Sequence, residues 1–185
     1  MAKAKAKRAT SGARSRARSS DAISLLKADH REVEGWFEQF EKARSADRKR
    51  ELADRICTAL KVHTTIEEEV FYPAFLEATQ DEEIHHEAEV EHDGAKALIG
   101  TIEASGPDDE YFDARVKVLA EMIKHHVNEE EQRGGMFAEA RQSDMDLDAL
   151  GEQMKSRRSE LLEGMRSTGS GPGRRLAVAA VDTGA

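Results

Sequence analysis

The spacing His-x-x-x-Glu occurs in this chain as His63/Glu67 and as His126/Glu130. In an α-helix, residues four apart lie one above the other on the same face, so each pair aims an imidazole and a carboxylate at one point beside its helix. Two such helices facing each other, with a lone histidine from each of two more, would enclose a pair of metal ions. His30 and His92 can supply those histidines if they fall on the inward faces of their own helices.

Apolar residues recurring every three or four positions predict where those faces are. Ile23, Leu26, His30, Val33, Phe37 and Phe40 make one stripe, opened by Ser20 or Asp21 as a cap and ending near 43–45. Leu52, Ile56, Leu60, His63, Glu67, Val70 and Ala74 make a second, and Pro73 should kink or end that helix just beyond the site. Thr79 with Glu82 resembles a capping box ahead of a third stripe, Ala88, His92, Ala95, Ile99 and Ile102. A turn at Ser105-Gly106-Pro107-Asp108 precedes the fourth: Phe112, Val116, Leu119, Ile123, His126 and Glu130. This register selects His126 over His125, which is displaced by about 100° of helix rotation. His85 and His86 stand among Glu82, Glu83 and Glu87 and read as solvated.

Gly134-Gly135 should end the fourth helix soon after the site. A short amphipathic piece begins at Met136 and Phe137. Leu147, Leu150, Met154, Leu161 and Leu162 then predict a fifth helix to about Met165, packed outside the bundle. The expected organisation is a basic tail at 1–20, an all-α four-helix bundle at 21–140, an additional helix at 141–165 and a flexible tail at 166–185.

The inward positions thus collect His30, His63, Glu67, His92, His126 and Glu130. A single histidine on an apolar face is more often a hydrogen-bonded core residue than a ligand. Carboxylates differ: burying one unpaired costs several kcal/mol, about what proteins avoid by pairing, protonation or metal binding. Two of them, each one turn from a histidine and with no Lys or Arg on these stripes, call for cations. Four imidazoles and two carboxylates are too many ligands for one tetrahedral zinc. Mixed nitrogen and oxygen ligation suits iron or manganese, and two carboxylates can bridge ions roughly 3.5–4 Å apart. Ferritin-like sites use Glu-x-x-His instead, and no His-Glu-x-x-His metalloprotease motif occurs.

Composition agrees with helices and cations. Hydrophobic residues make up 38% and charged residues 35%, against about 45–50% and 25% in an average domain. The net charge of -9 conceals an asymmetry: residues 1–20 hold seven Lys/Arg and no acid, leaving 21 basic and 37 acidic residues, a balance of -16, for the rest. An acidic body disfavours nucleic acid as its own ligand. The low-complexity arm reads as a disordered solubilising tail, with contact to nucleic acid, anionic lipid or an acidic partner as the alternative. With one cysteine, Cys57, read as a core filler, with no secretory signal and with no span for a membrane, a cytoplasmic location is expected.

The order His…His-x-x-x-Glu…His…His-x-x-x-Glu resembles the hemerythrin-like, or HHE cation-binding, family. The local text carries the resemblance: LLKADHREV around His30, HTTIEEEVFYP from His63, EAEVEHDGAKALI around His92 and HHVNEEE before Glu130. It covers about residues 21–140. It implies an up-down four-helix bundle with an oxo- or hydroxo-bridged centre of two iron ions, held by His30, His63, Glu67, His92, His126 and Glu130. Oxygen-carrying members have a fifth histidine where this chain has Lys96, which argues against reversible dioxygen carriage. Some members place the last carboxylate one residue later, which makes Glu131 the alternative to Glu130. The expected function is binding of dioxygen, nitric oxide or peroxide, in sensing, iron handling or stress response. A di-iron enzyme with catalase- or peroxidase-like activity is the alternative, Tyr72 and Lys96 being its only relay candidates, and a metal-free helical adaptor is the third.

Overall fold

The computed structural model describes residues 21–167. The basic arm at 1–20, and residues 168–185 of the expected tail, lie outside the described residues. Every regular element described is helical: α1 (Ala22–Lys42), α2 (Ala46–Ile66), a π-helical turn (Glu67–Phe71), α3 (Tyr72–Thr79), α4 (Glu82–Ala104), α5 (Phe112–Glu131), α6 (Met136–Gln142) and α7 (Leu147–Ser167). Contacts close the ring α1–α2–α4–α5, the four walls of an up-down bundle, and α7 packs on α1 and α2 from outside. Arg166 and Ser167, expected in the tail, are instead the last residues of α7. None of these helices is long and apolar enough to cross a membrane.

Side chains start the helices by taking up backbone N–H groups that have no partner within the helix. Asp21 Oδ1 accepts from the Ser24 N–H at 2.8 Å, and Ser45 Oγ accepts from that of Arg48 at 3.3 Å. The start of α4 departs from the expected capping box. Thr79 closes α3 by donating its hydroxyl to Phe75 O at 2.8 Å, and Gln80 turns left-handed at φ 59°. Asp81 then caps α4, its Oδ1 accepting from Ile84 N–H at 3.0 Å.

Pro73 does not end its helix. The π-helical turn lies just before it, with the Tyr72 N–H donating to Glu67 O, one residue further back than in an α-helix. Pro73 then falls in the first turn of α3, where a missing N–H costs least. The extra residue rotates everything that follows. Beyond Glu67 the buried positions are Phe71, Tyr72 and Phe75, whereas Val70 and Ala74, expected on the stripe, are half-buried.

Two apolar clusters fill the bundle. One joins Val33, Phe37, Phe40, Leu52, Ile56, Ile99, Phe112 and Leu119 among others. The other gathers Ile23, Leu26, Ile66, Phe71, Phe75, Met136, Phe137 and Met154. Along α1 the first holds residues after His30 and the second holds residues before it, so a polar layer is sandwiched between them. Cys57 lies in the first cluster as expected, and burial pushes its thiol up to about 12, too high for a nucleophile near neutral pH. After α5, Gly134 takes φ 82° and a Cβ on Gly135 would meet Glu129 O at 2.0 Å. Only glycines permit this reversal, which returns Met136 and Phe137 over the end of the layer.

Candidate metal centre

All six expected residues meet in that layer, and all are buried. His30 and His63 bring their Nε2 atoms to 3.1 Å of each other, and His92 and His126 bring theirs to 3.2 Å. Glu67 Oε2 stands 3.2 Å from His63 Nε2 and 3.4 Å from His92 Nε2. Glu130 Oε2 stands 3.4 Å from His30 Nε2 and 3.7 Å from His126 Nε2. Each carboxylate therefore touches one histidine of each pair, and the six ligand atoms form two adjoining groups.

The other ring nitrogens decide what these groups can do. His30 Nδ1 faces Glu131 at 2.8 Å, His63 Nδ1 faces Asp29 at 3.3 Å, His92 Nδ1 faces Glu68 at 2.8 Å and His126 Nδ1 faces Glu91 at 2.7 Å. An ionised carboxylate only accepts, so each imidazole keeps its proton on Nδ1 and, when neutral, turns a bare Nε2 inward. Bare nitrogens do not bond to one another. Two nitrogens bound to one ion at about 2.1 Å and at right angles would lie about 3.0 Å apart, which matches both pairs. A carboxylate behind each ligating histidine is also what metal sites use to fix the ring.

Charge makes the same point. No hydrogen-bond donor reaches Glu67 Oε1, Glu67 Oε2 or Glu130 Oε2, although both residues are almost wholly buried. Burial and the Glu67 charge push the Glu130 carboxyl well above the usual range, so it keeps a proton. Burial acts on Glu67 in the same direction, but His63, His92 and His126 outweigh it and hold that carboxyl ionised. Burial and the His63 charge lower His30 to about 4. Burial would lower His126 too, yet the surrounding carboxylates, Glu91 and Glu67 among them, raise it to about 9. Protons thus stand in where cations would neutralise the layer. The donor set fits metal ions.

A model of the family described as "Hemerythrin HHE cation binding domain" matches residues 21–134. The chain belongs to this family. Among solved structures, the HHE chain resembles a hemerythrin HHE cation-binding domain-containing protein of Mycobacterium kansasii, with TM-score 0.66 and 23% identity over 80% of this chain and 94% of that one. That likeness concerns the fold. It is also 27% identical over 154 residues to a protein of Nostoc sp. (strain PCC 7120) named DNA nickase. The match takes in 80% of this chain and 42% of that relative, so the HHE chain spans less than half its length.

The two relay candidates, Tyr72 and Lys96, fall on opposite sides of the rings. Tyr72, turned inward by the π-helical turn, brings its hydroxyl to 3.1 Å from His92 Nε2 and 3.4 Å from Glu130 Oε1. Burial and the Glu67 charge raise its pKa, so it stays a protonated donor. Lys96 sits outside, paired with Glu68 at 2.6 Å. Glu131 stands behind the His30 ring, paired with Arg31 at 2.6 Å, while Glu130 faces the histidine pairs. Far from solvated, His85 keeps its side chain mostly covered and packs edge-on to Tyr72, ring centres 5.9 Å apart.

His125 remains at the surface with its side chain 62% exposed, touching Glu91 and Glu129. His125→Ala is therefore expected to leave metal content intact, whereas His126→Ala should cost about half of it or more. Metal analysis of the two purified variants checks this. A requirement for His125 alone would overturn the register of α5.

Proposed function

We propose that this HHE protein is a non-haem di-iron protein that binds dioxygen, nitric oxide or peroxide. His30 and His63 would hold one ion, His92 and His126 the other, with Glu67 and Glu130 shared between them. The observation that carries the reading is the set of four inward Nε2 atoms facing two buried carboxylates whose Oε2 atoms lack donors. Iron is favoured over manganese only by the ligand chemistry expected for small-molecule uptake, since mixed nitrogen and oxygen donors suit both. Bound iron would supply a redox couple and a Lewis-acidic position for a small ligand.

The chain's own residues do the rest. The four carboxylates behind the rings hold the imidazoles in one tautomer. Phe137 stacks on His30 at 5.9 Å and, with Phe71, excludes water from one end of the layer. Tyr72 brings a proton donor into the layer, 3.1 Å from His92 Nε2. That donor favours a second reading, catalase- or peroxidase-like turnover, because breaking an O–O bond requires protons to be delivered. The acidic balance of residues 21–185 opposes a polyphosphate backbone, so DNA cleavage is not carried over from the Nostoc relative.

Metal content per chain on freshly purified protein, with an absorption spectrum before and after peroxide, tests the proposal. Two irons per chain support the centre. Bleaching with oxygen release then favours the enzyme, and a stable adduct favours the binding module. Folded protein with no metal and no gain in stability from added iron would sink both and leave a helical adaptor.

A further inference from the structure

We infer that Arg158 on α7 is a positioning residue for the His30/His63 half of the centre, acting through Asp29 on His63. The inference rests on the metal-binding reading above. Asp29 Oδ2 accepts from His63 Nδ1 at 3.3 Å, and the same oxygen accepts from Arg158 Nη2 in a charge-assisted bond. Asp29 and Arg158 are both largely covered, so neither charge is fully solvated.

Each carboxylate behind a histidine has a nitrogen-bearing side chain beside it. Glu131 is held by Lys27 at 3.3 Å and Arg31 at 2.6 Å, Glu68 by Lys96, and Glu91 faces His125 at 3.4 Å. Those partners all come from the bundle's own helices. Arg158 comes from α7, beyond the residues that the family model matches. An added helix thereby reaches the layer through one side chain. An Asp29 freed from the guanidinium could turn to solvent, and the His63 ring would lose the bond that fixes its tautomer and orientation.

The neighbouring residue supplies the control. Arg157 grips Glu69 on the outer face of the π-helical turn, at 2.5 and 3.1 Å, and touches no carboxylate behind a histidine. Met154 is fully buried in the second apolar cluster, so α7 has an anchor that neither arginine variant removes.

The test is a Co²⁺ titration of the full-length protein followed by visible absorption, since Co²⁺ binds nitrogen and oxygen sites at least as tightly as Fe²⁺. Wild type, Arg158→Ala, Arg158→Lys and Arg157→Ala are compared, with thermal melts of each metal-free form. Expected are two uptake steps in the wild type and, in Arg158→Ala, one step weakened about tenfold or more with the other unchanged. Arg158→Lys should recover most of that loss, and Arg157→Ala should titrate as wild type. Two unchanged steps in Arg158→Ala would overturn the inference alone. Equal weakening of both steps, alongside a lowered melting temperature of the metal-free form, would assign Arg158 a merely structural role and overturn it too. A wild type that takes up no cobalt would overturn this inference together with the di-iron reading.

Discussion

Replacing Glu130 by glutamine should abolish two-metal loading and leave the metal-free protein about as stable as before. In the metal-free layer Glu130 already keeps a proton, because it is buried against the Glu67 charge. A neutral amide of the same shape therefore changes little until a cation arrives. The loaded protein then lacks one of its two shared anions. Glu67→Gln should lose the metals as well, but with a further cost. Glu67 is the ionised partner that compensates His126 in the metal-free form, and leaving a buried charge under-compensated costs on the order of 1–3 kcal/mol. Metal content after dialysis and thermal melts with and without Fe²⁺ check both variants. The parent should gain about 2.7 kcal/mol per site at a metal concentration one hundred times the dissociation constant, and the variants should lose at least one such increment. Glu67→Ala and Glu130→Ala should lose two-metal loading in the same way. A Glu130→Gln protein that still binds two ions would remove that carboxylate from the ligand set.

Loading should also weaken steadily as pH falls and vanish toward pH 5. A ligand nitrogen must be unprotonated, so each proton that metal displaces lowers the apparent affinity about tenfold per pH unit. The sign at His126 is set by a raised pKa. Its proton is held up to about 9, despite burial, by the surrounding carboxylates, Glu91 and Glu67 among them. Below that pH the metal must displace it, so affinity rises with pH until about 9. His30 has the opposite shift, lowered to about 4 by burial and the His63 charge, and competes only in stronger acid. From pH 8 to pH 5 the one displaced proton at His126 alone weakens binding by about a thousandfold. Equilibrium dialysis across a pH series measures the slope. Loading that is the same at pH 5 and pH 8 would argue against histidine ligands.

The convergence of the six residues could be read from the chain because 3.6-residue periodicity is a strong signal over long helices. Once Ile23, Leu26, Val33 and Phe37 define a stripe, His30 has nowhere else to point, and the same reasoning separates His126 from His125. Periodicity fails where the backbone departs from it. The π-helical turn after Glu67 inserts one residue, so Tyr72 replaces Val70 and Ala74 at the inward positions, and Pro73 reads as a kink or a terminator when it is absorbed in the first turn of α3. The carboxylates behind the rings escaped for another reason. Asp29, Glu68, Glu91 and Glu131 each adjoin a residue of the central six, but in a chain with 35% charged residues an acid beside any position is unremarkable. Each also serves a histidine on a different helix, which no local pattern contains. Arg158 acts from 129 residues away in sequence.

Those adjoining acids give the centre a two-fold pseudosymmetry. Exchange α1 with α4 and α2 with α5: His30 takes the place of His92, His63 that of His126, and Glu67 that of Glu130. The supports follow, Asp29 onto Glu91 and Glu68 onto Glu131, each still behind the correct ring. Acid-His, then His-x-x-x-Glu-Glu, is one helical hairpin written twice. Two ions held in such a frame begin as equals. Groups without a counterpart distinguish them, among them Tyr72 beside the His92/His126 pair, Phe137 stacked on His30 and Arg158 behind His63. Any division of labour between the two positions is written by side chains such as these.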